Sequence, residues 1–166
     1  MNDVLDDVVS KREHLKQFLP HREPMLLLDE VLSYDDKKAS VAVNISNSSP
    51  FFSEAMGGVP AWVGLEYMAQ AISVWSGSQQ ITQGVPITIG FLLGSRRYQA
   101  ERSCFETGAR LVVEVEIRYA EESGLSAFDC TIKHIQSMEG GELLASARIN
   151  AFRPDKPEKI LQGVRG

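Results

Sequence analysis

Glu66, Gln70 and Ser73 are the polar side chains of PAWVGLEYMAQAISVW, residues 60–75, a stretch otherwise built of apolar or small residues apart from the Tyr67 hydroxyl. Their spacing, four residues and then three, puts them on one side of a helix as a single narrow stripe. A carboxyl on an apolar helix has its charged form disfavoured by desolvation, so it can hold a proton and give it up to a reacting oxygen. Glu66 is therefore the candidate acid. The partner of such an acid is a base, and histidine is the usual one. The chain has three: His14 in a charged N-terminal segment, His134 in a late strand, and His21 in the run LPHR. His14 reads as a solvated helix residue. His21 reads first as a hydrogen-bonded anchor between the N-terminal segment and the first strand, and second as a catalytic base. Glu66 has its own structural alternative, as a buried carboxyl satisfied by a hydrogen bond.

The composition bounds what this pair can serve. The chain has 166 residues, 43% hydrophobic and 23% charged, with a net charge of −5. That is one domain with a sizeable core, and it excludes wholesale disorder. The acidic balance, with no Lys/Arg run, argues against nucleic acid as a partner. Cys104 and Cys130 have no CxxC companion, so no zinc site is expected, and two reduced thiols of a cytosolic protein are. The first 25 residues, MNDVLDDVVSKREHLKQFLPHREPM, lack the apolar region of a signal peptide. Residues 60–75 are too few to cross a bilayer and carry Glu66 and Gln70, so no membrane span and a cytoplasmic location are expected. Arg96, Arg97 and Arg102 form a local basic group, either a solvated strand end or a landing place for an acidic partner.

The elements that must position Glu66 follow from patterning. Residues 3–18 predict a short helix, with Val4, Leu5, Val8 and Val9 as a weak apolar stripe, ended by Leu19-Pro20. Residues 25–34 predict a strand, 35–38 a turn, and 38–46 a second strand with Ala39, Val41, Val43 and Ile45 on one face. Pro60 suits the first turn of a long central helix, and Gly77 a position just past its end. Such a helix is apolar nearly all round and needs cover on most sides. Trp62, Tyr67, Met68, Trp75, Phe91 and Leu92 are the expected core. Residues 85–99, 109–120, 125–137 and 142–154 predict strands, with turns at 121–124 and 138–141. The order β-β-α-β-β-β-β predicts an α+β domain over residues 1–154, an antiparallel sheet wrapped around one long central helix, with a polar, frayed tail at 155–166.

Three segments carry a family likeness. LPHREPMLLLDEV (19–31), NISNSSPFF (44–52) and the P-x5-E-x-M-A-Q spacing of 60–70 resemble, in this order, the β-hydroxyacyl-[acyl carrier protein] dehydratases of the hot-dog fold. The later GFLLGSRRYQ and GARLVVEVEI are more loosely similar. The branch it resembles is a divergent one, like the dehydratases of aryl polyene gene clusters. The resemblance implies elimination of water from a 3-hydroxyacyl thioester to give a trans-2-enoyl thioester. Glu66 would be the catalytic carboxyl. The helix start at Ala61, Trp62 and Val63 would offer N–H groups to the thioester oxygen. Gln70, one turn on, would stand behind Glu66. Gly57 and Gly58 either form a tight turn or let the thioester approach the backbone. Arg96, Arg97 and Arg102 would receive the acidic carrier protein. No cofactor is implied beyond the phosphopantetheine arm of the substrate, delivered by acyl carrier protein or as a coenzyme A thioester. The assembly would be a homodimer or higher oligomer, or a heteromer with a paralogous dehydratase, with the pocket between subunits.

One departure matters. The family's GHFP histidine, a few residues after PFF, is missing: the loop reads SEAMGGVP, residues 53–60, and Ala61 stands where a glycine is usual. Three explanations stand open. His21 takes over the base role, Glu66 works alone with water, or the chain is a degenerate subunit beside an active one. A thioesterase of the same fold, with the helix carboxylate activating water, is the rival activity.

Overall fold

The alternation of β-branched residues that marks the sheet in the sequence is realised in the computed structural model, which describes residues 2–88, 90–136 and 140–154. Helix α1 (Asn2–Leu15) leads into strands β1 (Glu30–Tyr34) and β2 (Lys38–Asn44). A short strand β3 (Gly58–Pro60) and a single 3-10 turn (Ala61–Val63) precede helix α2 (Gly64–Gln83). Strands β4 (Phe91–Ala100), β5 (Cys104–Glu106), β6 (Arg110–Ala120), β7 (Leu125–His134) and β8 (Glu142–Phe152) follow. The main sheet has six strands in the order β1-β2-β6-β7-β8-β4, each antiparallel to its neighbour, and β3 pairs with β5 in a separate ribbon. Along β6, Val113 and Val115 are fully buried while Glu114 and Glu116 meet Ser40 and Lys38 of β2 outside. Met68, Ala71 and Val74 of α2 share one core with Val113, Ile132 and Ile149 of the sheet.

Several boundaries differ from expectation, each for a local reason. Gly77 does not end α2; it lies inside it, where a Cβ would overlap the backbone carbonyl of Phe18. The glycine there serves close packing of the helix against the N-terminal segment. The helix runs on to Gln83 and stops at Gly84, which is left-handed (φ 70°) and donates its N–H to the Ile81 carbonyl. The polar run 76–83 hid this, because Ser78 and Gln80 are buried and satisfied by Trp75 O and Thr88 Oγ1.

The first strand begins only at Glu30. Leu26, Leu27 and Leu28 are all buried, which a two-residue period does not allow, and this backbone bonds to a side chain of α2 instead. Residues 85–88, expected as strand, form an irregular connection, while Ile89 lies outside the described residues. Trp62 and Leu92, expected in the core, are 65% and 44% exposed; Tyr67 and Met68 are buried as expected. The side chain of Phe91, residues 138–139 of the expected turn, and the expected tail at 155–166 lie outside the described residues. The stripe Val4, Leu5, Val8 and Val9 of α1 faces outward. Among the described residues no helix is long and apolar enough to cross a membrane.

Candidate active site

Glu66 sits in the first turn of α2, and the next turn fixes it. Gln70 is fully buried, and its side-chain oxygen accepts the backbone N–H of Leu27 at 2.9 Å. That bond sets the amide's orientation, since only its nitrogen can donate. Nε2 then donates to the Met25 carbonyl at 2.7 Å and to Glu66 Oε1 at 3.0 Å. With every polar atom of Gln70 engaged, it holds the carboxyl in place and has nothing left for a substrate. Oε1 thus receives this donor, and Oε2 has no hydrogen-bond partner among the described residues.

His21 completes the pair. Its Nε2 lies 3.9 Å from Glu66 Oε1, and the two side chains are 29% and 40% exposed. Burial pushes the His21 pKa below its ordinary 6.5, the Glu66 carboxylate opposes that shift, and the neighbouring Arg22 cation adds to it. His21 is therefore a neutral imidazole at neutral pH, able to accept a proton. Its Nδ1 is buried and has no partner among the described residues.

Both side chains line a cavity of about 630 Å³. Its wall on α2 is Ala69, Ile72, Ser73, Trp75 and Ser76, and its facing wall includes Ile117 and Phe128 of the sheet. The size and apolar lining suit an acyl chain.

The other expected site residues fall elsewhere. Gly57, Gly58, Ala61, Trp62, Val63 and Gln70 do not line this cavity. Gly57 is left-handed (φ 69°) in a turn closed on Ser53, and Gly58 pairs with Glu106 so closely that a Cβ would overlap the Phe105 carbonyl. Gly57 thus forms a turn, and Gly58 opens β3. The Ala61 N–H is already given to the Ser103 carbonyl at 2.9 Å, and the Tyr98 hydroxyl donates to the Ala61 carbonyl. Gly64 leaves room for that hydroxyl and for the Phe105 ring. Trp62 stacks edge-on against Phe51 at 5.6 Å on the outside. Arg96 and Arg97 are exposed on β4, whereas Arg102 is matched by Glu142 at 2.7 Å and Glu106 at 3.8 Å. His134 meets only the Gln136 amide among the described residues, and His14 lies exposed against the Phe18 ring. Among the described residues no cluster of three or more His, Cys, Asp or Glu has the arrangement of a metal site. The sequence did not point to Ser76 or Arg153 as part of the cavity. Continuing the helical spacing beyond Trp75 would have found Ser76; no signal marked Arg153.

Known proteins share this fold. The model of the ApeP-like family, described as ApeP dehydratase, matches residues 13–162. A 3-hydroxyacyl-[acyl-carrier-protein] dehydratase FabZ of Thiobacillus denitrificans is 31% identical over 149 residues, 87% of this chain and 98% of that protein. The solved dehydratase heterocomplex ApeI:P from Xenorhabdus doucetiae contains a chain that superposes with a TM-score of 0.78 at 29% identity, covering 89% of this chain and 95% of its own. The E. coli PaaI protein of the phenylacetic acid degradation operon superposes with a TM-score of 0.61 at 12% identity, covering 92% of this chain and all of its own, and so shares the fold alone. The common architecture is the hot-dog fold.

Proposed function

The chain belongs to the family of ApeP-like dehydratases, and from that premise we propose that His21 and Glu66 together remove water from a 3-hydroxyacyl thioester carried on acyl carrier protein. The neutral imidazole of His21 takes the α-proton through Nε2. The freed electron pair forms the double bond between the α and β carbons, and the β carbon–oxygen bond breaks. Glu66 delivers its Oε2 proton to the departing hydroxyl, which leaves as water and yields the trans-2-enoyl thioester. A proton then passes, through the water that has just left, from the imidazolium back to the Glu66 carboxylate, which restores both groups. The observation that carries this reading is the placement of an imidazole and a carboxyl side by side on one apolar cavity.

The carrier is supported by the name of the FabZ relative and by the exposed Arg96 and Arg97 on an acidic chain. A second hot-dog subunit, identical or paralogous, is supported by the heterocomplex neighbour. It is supported also by the edge of β4, which pairs only with β8 among the described residues and exposes Leu92 and Leu93. Incubation with 3-hydroxyacyl carrier protein, followed by mass spectrometry of the acyl group, tests the reaction. Loss of one water that disappears in Glu66→Gln and in His21→Ala supports the pair. Release of free thiol instead would mean hydrolysis. Full turnover in His21→Ala would leave Glu66 as the sole acid–base group.

A second reading is favoured by the histidine-free loop at 53–60: the chain is a companion that stabilises an active paralogue. It predicts co-purification with that paralogue and no turnover by the isolated chain.

A further inference from the structure

We infer that Arg153 limits the length of acyl chain the cavity accepts, an inference that rests on the dehydratase reading of that cavity. The cavity begins at His21 and Glu66 and follows α2 past Ala69 and Ser73 to Ser76. Ser76 is ten residues beyond Glu66, so at 1.5 Å per residue it lies about 15 Å along the helix axis. Over that length the walls include Ile72, Trp75, Ile117 and Phe128, with the Trp75 and Phe128 rings edge to face at 5.4 Å. The rest of the lining mixes polar Gln79, Gln83 and Glu121 with apolar Ile87, Leu125 and Phe152.

Arg153 lines this cavity at the level of Ser76. Its backbone N–H donates to the Gly124 carbonyl at 3.0 Å, which seats the residue on the turn between β6 and β7. Gly124 itself is left-handed (φ 98°), and a Cβ there would overlap the Arg153 carbonyl. From that seat the guanidinium reaches α2, where Nη1 donates to Ser76 Oγ at 3.0 Å. The arm thus ties the sheet side of the cavity to its helix side. A hydrocarbon tail arriving there must displace the arm, and the guanidinium resists being desolvated against methylenes. A shorter tail never reaches it.

The test compares wild type, Arg153→Ala and Ser76→Ala with 3-hydroxybutyryl, 3-hydroxyoctanoyl and 3-hydroxypalmitoyl pantetheine. Two readouts are taken: kcat/KM for water loss, and the rise in Tm produced by the matching saturated acyl pantetheines, which reports binding without chemistry. The palmitoyl-to-butyryl ratio of kcat/KM is expected to rise about tenfold in Arg153→Ala, the scale on which apolar pockets discriminate chain length. The Tm series is expected to tilt the same way, and Ser76→Ala to follow by a smaller factor. Unchanged shapes of both profiles in both variants would overturn the proposal. Absence of turnover at every length, with the Tm series still tilting, would leave Arg153 as the limit and remove the dehydratase reading instead.

Discussion

Two segments flank the start of α2, the loop 53–60 and the segment 19–29, and only the second sets an imidazole beside Glu66. The loop spends its polar groups on itself and on the β5 ribbon: Ser53 bridges to Gly58, Gly57 accepts from Thr107, and Gly58 to Pro60 pair with β5. Its one ionisable side chain, Glu54, is exposed. The segment 19–29 instead gives Met25 O and Leu27 N–H to Gln70, sets His21 beside Glu66, and is anchored by Asp29 to Arg12 of α1 at 2.9 Å. The related dehydratases place their histidine in the first of these segments, and here the imidazole stands in the second.

The sharpest way to break this contrast is to compare carboxyls. Glu66→Gln is expected to slow water loss about 10³-fold, the scale for removing a positioned acid. Glu54→Gln is expected to stay within about twofold, as surface changes do. Equal effects in a mass-spectrometric turnover assay would erase the distinction. Next comes a pair of glycines, one packed on Phe18 just before the second segment and one within the loop. Gly77→Ala drives a methyl into the Phe18 carbonyl and is expected to cost about 3 kcal/mol. Gly57→Ala meets no neighbouring atom and pays only for its left-handed backbone, about 1 kcal/mol. Denaturant midpoints measured at constant m-value separate the two.

Gln70→Leu leaves the Leu27 N–H and Met25 carbonyl without their partner and is expected to cost about 2 kcal/mol. Faster amide exchange at Leu27 would accompany that loss, and unchanged exchange would refute the role given to Gln70. The smallest effect is on pH dependence. Burial lowers the His21 pKa, so the unfolded chain binds the proton more readily, and stability rises with pH across the window. The contribution is complete above the ordinary value of 6.5 and is lost as pH falls from there through the lowered value. His21→Gln is expected to flatten a stability curve in that window; a curve that keeps its slope would show that another group is titrating.

Much of the fold was legible. The alternation of Val113, Val115 and Ile117 with Glu114 and Glu116 fixed β6 and which of its faces turns inward, because a pleated strand has a period of two. Glu66, Gln70 and Ser73 marked a helix side by spacing alone. Elements with no internal pattern were not legible. The ribbon of β3 and β5 is three residues a side and exists only because its strands meet. The Leu26–Leu28 triplet reads as strand, yet its Leu27 N–H goes to Gln70, more than forty positions away, and its Leu26 N–H to the Arg22 carbonyl.

The sequence by itself determined the carboxyl on an apolar helix, the antiparallel sheet and the family, since these rest on local periodicity and on short motifs. Only the tertiary structure decided that His21 stands beside Glu66, that Gln70 faces the carboxyl with its nitrogen, and that Arg153 bridges to Ser76. Each of these depends on segments far apart in the chain, the Gln70 orientation through its bond to Leu27. Their distances are set by how the core packs, and no local preference encodes that.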